Sequence, residues 1–178
     1  LLARSLVAAG VGRLFALSGN QIMPVFDACI DKDIDLVHVR HEAAAVHMAD
    51  AWGRLTGEPG IAIVTAGPGF ANTLTALYVA TMSESPVVLL SGHAPSTELG
   101  RGGFQEMSQA DMAQHVTKSS WTAKEAAELG SDLARAFRTA KSGRPGPVHV
   151  ALPFDLLEET VGAEPALPSP EEFDAPRR

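Results

Sequence analysis

The fold is indicated most directly by the stretch DLVHVRHEAAAVHMAD, residues 35–50. Its first part, Asp35–Val39, alternates polar and apolar residues and predicts a β-strand. The alanine-rich part that follows, from Glu42 to Leu55, predicts a helix that ends at the sequence Thr-Gly-Glu-Pro, residues 56–59. Glu42 therefore falls where a strand turns into a helix, and the helix dipole favours negative charge there. For an isolated glutamate in this position, a role as a helix cap is the commoner explanation.

Short apolar strands alternate with helices along most of the chain. This alternation predicts right-handed βαβ units, with helices on both faces of one sheet. We therefore expect a three-layer α/β/α domain over residues 1–161, with a central, mostly parallel sheet of about six strands. The predicted strands are residues 13–17, 35–39, 61–65, 87–91, 116–121 and 147–152. The predicted helices are residues 1–9, 23–30, 42–55, 70–82 and 126–140, and residues 93–107 are expected to form a loop.

The residues with the most unusual chemistry stand where four of the predicted strands end. They are Ser18-Gly19-Asn20, Glu42, Ala66-Gly67-Pro68-Gly69 and Gly92-His93. In open parallel sheets, ligands bind at the carboxyl ends of the strands. We therefore expect a binding site along this edge of the sheet.

The composition narrows the class of protein. A formal net charge of −7 argues against nucleic-acid binding, which needs clustered Lys and Arg. No window approaches the roughly 18 uninterrupted apolar residues of a membrane-spanning helix. The single cysteine, Cys29, excludes an intrachain disulfide, and we expect it to be a small apolar filler in a helix. One thiol fits a reducing compartment, so we expect a cytoplasmic protein.

Other site chemistries find little support in the motifs. The turn Gly67-Pro68-Gly69 exposes backbone N–H groups at a helix N-terminus, but Asn72 stands where a dinucleotide fingerprint needs its third glycine. A zinc-protease motif beginning at His41 would need its second histidine at position 45, which is Ala45. We expect no metal site among the histidines of this region. No G-x-S-x-G sequence supports serine hydrolase chemistry.

Both ends of the sequence resemble points inside a longer polypeptide. Leu1 already lies within a helical pattern, and the Pro-rich segment 162–178 is typical of an extended linker. We therefore expect a fragment whose linker leads toward a middle domain.

Five sequence blocks, taken together and in order, are similar to those of a known family. They resemble the N-terminal pyrimidine-binding domain of thiamine-diphosphate-dependent enzymes of the acetolactate synthase and 2-oxo acid decarboxylase family. The thiamine-diphosphate-binding fold of that family is of the class predicted above. Each block alone is weakly specific, but five in register argue strongly against coincidence. The blocks are Arg40-His41-Glu42 with His47-Met48-Ala49, Val64-Thr65-Ala66-Gly67-Pro68-Gly69 with Asn72-Thr73, Ser85-Pro86-Val87, Phe104-Gln105-Glu106, and Ser142-Gly143-Arg144-Pro145-Gly146-Pro147-Val148.

The resemblance implies roles for particular residues. In the family, the glutamate that matches Glu42 bonds N1′ of the aminopyrimidine ring of the cofactor. The amino group of the cofactor can then act as the base toward its own thiazolium C2, so the protein supplies orientation and one carboxyl group. The resemblance also implies a catalytic role for Gln105 and substrate contacts by Phe104 and Gln105. It implies that thiamine diphosphate contacts Gly19, Asn20, Glu42, Gly67, Pro68 and Asn72.

Two departures from the family pattern affect this transfer. Relatives often carry a proline and glycine pair where this chain has Gly19-Asn20, so that contact can differ. The Gly-Asp-Gly motif with which the family anchors diphosphate and Mg²⁺ is absent from the sequence. The resemblance implies that this motif lies in a separate domain, contributed by a second subunit of a homodimer or homotetramer. The chain alone is therefore expected to hold half a site and to be inactive, and whether FAD binds in another part stays open.

The sequence leaves other functions open beside an acetolactate synthase-like carboligase or decarboxylase of 2-oxo acids. An oxalyl-CoA decarboxylase or a 2-hydroxyacyl-CoA lyase would use the same cofactor, although CoA-using relatives tend to carry Tyr-Glu near Phe104-Gln105-Glu106. A non-catalytic or separately encoded subunit would supply only dimerisation and half of the cofactor site. A nucleotide-binding α/β domain would bind adenine nucleotides independently of Glu42.

Overall fold

A six-stranded sheet forms the centre of the chain in the computed structural model, which describes residues 1–162 and 167–175. The strands are β1 (Arg13–Ala16), β2 (Asp35–His38), β3 (Gly60–Val64), β4 (Val87–His93), β5 (Ser119–Thr122) and β6 (Pro147–Pro153). Their order in the sheet is β2-β1-β3-β4-β6-β5, and each neighbouring pair is parallel. The predicted parallel sheet of six strands is therefore confirmed.

Helices cover both faces of the sheet and complete the predicted three layers. One layer contains α1 (Leu2–Ala8), α2 (Met23–Cys29), α7 (Leu129–Lys141) and α8 (Phe154–Glu158). The other layer contains α3 (Glu42–Thr56), α4 (Pro68–Ala71), α5 (Leu74–Met82) and α6 (Gln109–Ala113). Short 3₁₀ turns lie at Asn20–Ile22, Ser96–Glu98, Ala126–Glu128 and Pro170–Phe173. Within residues 1–162 and 167–175, no helix has both the length and the apolar character needed to cross a membrane.

The central strands are buried on both faces, which explains their continuous apolar sequence. In β3, Ile61 and Ile63 pack against the layer of α1, α2, α7 and α8, whereas Ala62 and Val64 pack against the layer of α3 to α6. Successive side chains of a strand point to opposite faces, so a strand between two helix layers needs apolar residues at every position. The core is thus divided into two clusters by the sheet.

The predicted helix over residues 70–82 is wrong in one respect, because it is broken into α4 and α5. The break lies at Asn72 and Thr73. The Thr73 hydroxyl donates a hydrogen bond to the Phe70 carbonyl at 2.6 Å, while the Asn72 side chain turns toward a neighbouring helix. Side chains that bond locally to the backbone compete with helix continuation. The short helices α6 and α8 were also not predicted.

Part of the segment predicted to be a linker packs on the domain. Phe173 is buried and meets the ring of Phe137 in α7 edge-on, with 5.4 Å between ring centroids. The linker residues 163–166 and 176–178 lie outside the described residues. The predicted domain boundary at residue 161 stays a prediction.

Candidate functional site

The carboxyl ends of four neighbouring strands form the edge on which the site is expected. Because β2, β1, β3 and β4 are adjacent in the sheet, the four predicted strand exits lie side by side. Strand β2 lies on one side of β1, whereas β3 and β4 lie on its other side. The crevice between β1 and β3 is therefore a topological switch point, the usual ligand position in such sheets.

Glu42 begins helix α3 but does not cap it. The cap is His41, whose Nδ1 accepts a hydrogen bond from the Ala43 N–H at 3.2 Å. The Glu42 carboxylate accepts a hydrogen bond at Oε2 from Asn72 Nδ2 at 2.9 Å. Among the described residues no donor bonds its other oxygen, Oε1. The capping explanation for Glu42 is therefore wrong, and one oxygen of a half-buried carboxylate is available to a ligand.

Thr65, at the end of β3, brings the loops after β1 and β3 together. A Cβ on Gly19 would lie 2.4 Å from Thr65 Cβ, and a Cβ on Gly69 would lie 2.6 Å from Thr65 Cγ2. The Thr65 hydroxyl donates a hydrogen bond to Gln21 Oε1 at 2.6 Å. Only glycine allows the backbone to approach this closely. The two glycines therefore close the crevice around Thr65, and Gly69 lies beside Glu42.

Gly67 adopts a backbone conformation that favours glycine. Its φ of 56° and ψ of −113° are accessible to glycine, and a Cβ would lie 2.8 Å from the Gln105 carbonyl oxygen. The Gly67 N–H donates to Gln109 Oε1 at 2.9 Å. The segment that contains Gln105 and Gln109 thus holds Gly67 from two directions.

The loop after β4 presents Phe104 and Gln105 beside this glycine turn. Phe104 is 66% exposed, and Gln105 has a positive φ of 59°, which is uncommon outside glycine. Glu106 accepts hydrogen bonds from the N–H groups of Gly100, Gly102 and Gly103 at 2.5, 2.9 and 3.0 Å. These bonds, the one from Gly100 first, lower the pKa of Glu106. The loop is therefore folded around an ionised carboxylate.

The structure brings most of the predicted site residues together. Glu42 and Asn72 are hydrogen bonded, Gly67 contacts Gln105, and Pro68 begins α4 between them. Gly19 lies across Thr65 from the glycine turn. Asn20 and Phe104 are exposed, and neither side chain is hydrogen bonded to Glu42. The assigned roles of these residues remain predictions.

A buried polar cluster next to the site was not predicted from the sequence. Gln109 Nε2 donates to Ser91 Oγ at 2.6 Å and to the Gly92 carbonyl at 3.0 Å. His149 Nε2 lies 2.7 Å from Ser91 Oγ, and His149 Nδ1 lies 2.8 Å from Ser120 Oγ. Burial, and secondly the nearby His93, lowers the pKa of His149 to about 3. No local signal marks these residues, because the sequence around Gln109 does not distinguish a buried glutamine from an exposed one.

One sequence family matches the greater part of the chain. It is described as "Thiamine pyrophosphate enzyme, N-terminal TPP binding domain", and residues 1–112 match it. These residues include the crevice between β1 and β3, Glu42, the glycine turn and Gln109.

Similar proteins include synthases and lyases. The chain is 42% identical to "Acetolactate synthase isozyme 3 large subunit" of Escherichia coli, over 88% of this chain and 28% of that protein. It is 44% identical to "2-hydroxyacyl-CoA lyase 2" of Xenopus laevis, over 88% of this chain and 24% of that protein. It is 37% identical to "Acetolactate synthase large subunit" of Parasynechococcus marenigrum, over 89% of this chain and 26% of that protein. The chain therefore spans roughly a quarter of the length of these relatives.

Proposed function

Because this chain belongs to the family of N-terminal TPP-binding domains of thiamine pyrophosphate enzymes, we propose that it forms the pyrimidine-binding half of a thiamine-diphosphate-dependent enzyme. The whole protein would act on 2-oxo acids as a carboligase or decarboxylase, in the manner of acetolactate synthase. The observation that carries this proposal is the carboxylate of Glu42 at the switch point, with Asn72 on Oε2 and Oε1 without a protein donor.

The residues at this edge fit the aminopyrimidine ring of thiamine diphosphate. Glu42 Oε1 can share a proton with a ring nitrogen, because nothing on the described chain occupies that oxygen. A Cβ on Gly69 would lie 3.4 Å from the same oxygen, so glycine leaves it uncovered. Gly67 and Gly69 also let a flat ring approach the backbone of the turn. An available carboxyl oxygen beside an uncovered glycine turn suits a neutral heteroaromatic ring.

The residues of this chain would bind the ring and hold one proton. Asn72 donates to Oε2 and keeps the carboxyl group of Glu42 oriented, so that Oε1 faces the crevice. The positive end of the α3 dipole stabilises the carboxylate when the proton leaves. Bound thiamine diphosphate would supply the carbon nucleophile that attacks a carbonyl group. Phe104 and Gln105, on the loop beside the glycine turn, are proposed to contact the substrate, and Gln105 to take part in catalysis.

The rest of the active site is proposed to come from a second subunit. Helices α3 and α5 are neighbours in the layer of α3 to α6, and both carry exposed apolar side chains. These are Met48, Trp52 and Leu55 on α3 and Tyr78, Val79 and Met82 on α5. Exposed apolar side chains on two neighbouring helices favour a surface that a partner covers, because soluble monomers rarely expose large apolar patches. We propose that a second copy of the whole protein covers this face with its diphosphate-binding domain, in a homodimer or homotetramer.

Further features of the whole protein follow from the same proposal. Mg²⁺ would bind with the diphosphate in a domain beyond this chain, and FAD, if the whole protein uses it, would bind there as well. A cytoplasmic location is proposed because the one cysteine, Cys29, is a buried free thiol.

A second candidate is a 2-hydroxyacyl-CoA lyase or oxalyl-CoA decarboxylase. It is favoured by the 44% identity to the Xenopus laevis lyase. The same Glu42 carboxylate would serve this reaction, since the difference lies in the substrate. Turnover of 2-hydroxyacyl-CoA or oxalyl-CoA, without turnover of pyruvate, would select this candidate.

The test compares Glu42→Gln with the wild type in the full-length protein. With thiamine diphosphate, Mg²⁺ and pyruvate, we expect the variant to lose both exchange of the cofactor C2 proton and release of CO₂. Glu159→Gln, an exposed change at the end of α8, serves as the matched control and should behave as wild type. Undiminished C2 exchange in Glu42→Gln would overturn the proposed role of this carboxyl group. Circular dichroism of the variant checks whether a loss of activity is due to misfolding.

A further inference from the structure

The buried cluster beside the glycine turn has hydrogen bonds whose directions can be assigned. Gln109 Oε1 accepts from a backbone N–H, that of Gly67, and Gln109 Nε2 donates to a backbone carbonyl, that of Gly92. Backbone groups cannot exchange the roles of donor and acceptor, so the orientation of the Gln109 amide is fixed. The second hydrogen of Nε2 then points to Ser91 Oγ, which accepts it.

The proton on His149 follows from the partners of Ser91. Ser91 Oγ accepts from Gln109, and among the described residues its own hydrogen finds no acceptor other than His149 Nε2, at 2.7 Å, so donation to that nitrogen leaves no hydroxyl hydrogen unpaired. A neutral imidazole that accepts at Nε2 carries its proton on Nδ1, which donates to Ser120 Oγ at 2.8 Å. Burial keeps the ring neutral, because it lowers the pKa of His149 to about 3. A directed chain of hydrogen bonds therefore crosses β4, β6 and β5.

The near end of this chain of hydrogen bonds lies against the proposed cofactor site. Gly67 is buried, and its N–H has Gln109 as its partner. Two residues later Gly69 lies beside Glu42 Oε1, where a Cβ would be 3.4 Å from the oxygen. A shift of the Gly67 peptide would therefore move the surface against which Glu42 presents its available oxygen.

We propose that Gln109 is a positioning residue, which holds the Gly67-Pro68-Gly69 turn against Glu42 through a fixed amide that is itself oriented by Ser91 and His149. This inference rests on the proposed function, since it concerns the fit of thiamine diphosphate at Glu42. Gln109 touches neither cofactor nor substrate in this scheme. Its contribution is to keep the turn in the one conformation that leaves Glu42 Oε1 accessible.

The alternative is that the cluster only fills space in the core. Apolar side chains would fill the same space without burying polar groups. Each buried polar group that lacked a hydrogen-bond partner would lower the free energy of unfolding. Every polar atom of Gln109 instead has a partner: Gly67 belongs to the turn that follows β3, and Ser91 and Gly92 lie near the carboxyl end of β4. Buried amides that are completely bonded restrict a structure to one arrangement, as positioning requires.

The test replaces Gln109 by glutamate in the full-length protein. Protonated, the new carboxyl group can still accept from Gly67 N–H and donate one hydrogen bond. Ionised, it would face the Gly92 carbonyl without a donor hydrogen, and the turn would shift. We therefore expect the ratio of the thiamine diphosphate Kd in Gln109→Glu to that in wild type to rise with pH, by up to about tenfold per pH unit above the pKa of the new group. Gln114→Glu, an exposed change just after α6, should keep a constant ratio.

A second measurement keeps the proposal falsifiable if Gln109→Glu fails to fold. In the wild type, ¹⁵N NMR spectra of His149 should show the proton on Nδ1 from pH 5 to 8. In Gln109→Met, the spectra should show a mixture of the two tautomers. The same variant should bind thiamine diphosphate with a higher Kd than the wild type. A ratio of Kd values that does not change with pH, or wild-type affinity in Gln109→Met, would overturn the positioning role alone. An absence of thiamine diphosphate binding by the wild type would overturn the proposed function and the positioning role with it.

Discussion

Asn72 Nδ2 donates a hydrogen bond to Glu42 Oε2 at 2.9 Å, across 30 positions of the sequence. The bond joins the residue that follows α4 to the first turn of α3. It therefore connects the loop after β3 to the loop after β2, although β1 lies between these strands in the sheet. One oxygen of Glu42 is fixed by this bond, and the other is left for a ligand.

The first prediction concerns this bond. Asn72→Asp places a second carboxylate against Glu42, and like charges at this distance repel. We expect the full-length variant to bind thiamine diphosphate about tenfold more weakly, a change of about 1.4 kcal/mol, with little loss of thermal stability. Isothermal titration calorimetry checks this, with Gln114→Glu as the control for an added exposed acid. Unchanged affinity in Asn72→Asp would contradict a role for the bond.

The second prediction concerns the crowding around Thr65. In Gly69→Ala, the new Cβ would lie 2.6 Å from Thr65 Cγ2, so we expect a loss of about 1–3 kcal/mol in the free energy of unfolding. Thr65→Ser removes that methyl group and keeps the hydroxyl, so the double variant should regain much of the loss. Gly12→Ala, where a Cβ meets nothing within 4 Å, should differ little from wild type. Denaturant unfolding of the wild type, the two single variants, the double variant and Gly12→Ala measures these effects, and simple additivity of Gly69→Ala and Thr65→Ser would contradict the steric explanation.

The third prediction concerns the backbone of Gln105. Its φ of 59° is strained for a residue with a Cβ, so Gln105→Gly should stabilise the fold by roughly 1 kcal/mol or less. If Gln105 acts on the substrate, the same variant should lower pyruvate turnover by on the order of 10–100-fold. Glu84→Gly relieves a similar φ of 52° away from the site and should leave turnover unchanged. Full turnover in Gln105→Gly would show that only the backbone matters there.

The fourth prediction concerns pH and His149. The folded chain protonates this ring only near pH 3, whereas the unfolded chain does so near the ordinary pKa of 6.5. As the pH falls below 6.5 the unfolded state binds the additional proton, so the free energy of unfolding falls by roughly 1.4 kcal/mol per pH unit. The stability contributed by the neutral ring is complete above pH 6.5. Denaturant unfolding between pH 6.5 and 5 avoids the range in which most carboxylates titrate.

The matched variants for this pH effect are His149→Gln and His115→Gln. His149→Gln should be less stable than wild type at pH 7 but should lose this part of the pH slope. His115 is exposed, so His115→Gln should keep the wild-type slope. Parallel curves for wild type and His149→Gln would mean that the buried ring takes up its proton in the folded state as well.

The fifth prediction concerns the apolar face of α3 and α5. Leu55→Glu with Met82→Glu places two charges on this face, where the side chains are 86% and 67% exposed. We expect the full-length protein to sediment as a smaller species and to lose activity. Ile30→Glu is the control, since Ile30 is 74% exposed but directly follows α2, a helix of the opposite layer. A wild type that sediments as a monomer at high concentration would contradict the proposed assembly.

Local patterns along the chain were sufficient to predict the class of fold and the edge of the sheet on which the proposed site lies. Strands such as β3 are recognisable because a strand between two helix layers is apolar at every position. The carboxyl ends of parallel strands meet at one edge, so Glu42 and the Gly67-Pro68-Gly69 turn could be assigned to that edge before any contact was known. The alternation of strands and helices was sufficient to predict the fold class and the position of these residues, since each depends on local sequence pattern.

Which groups bond to one another depends on how distant segments of the chain pack, and this could not be predicted from local patterns. His41 caps α3 in place of Glu42, Asn72 breaks a predicted helix to reach Glu42, and Gln109 holds Gly67 from 42 positions away. The local sequence does not distinguish a buried amide such as Gln109 from an exposed one. The reason is physical: a hydrogen bond forms or fails within a few tenths of an ångström, and that distance is set by the packing of segments far apart in the chain.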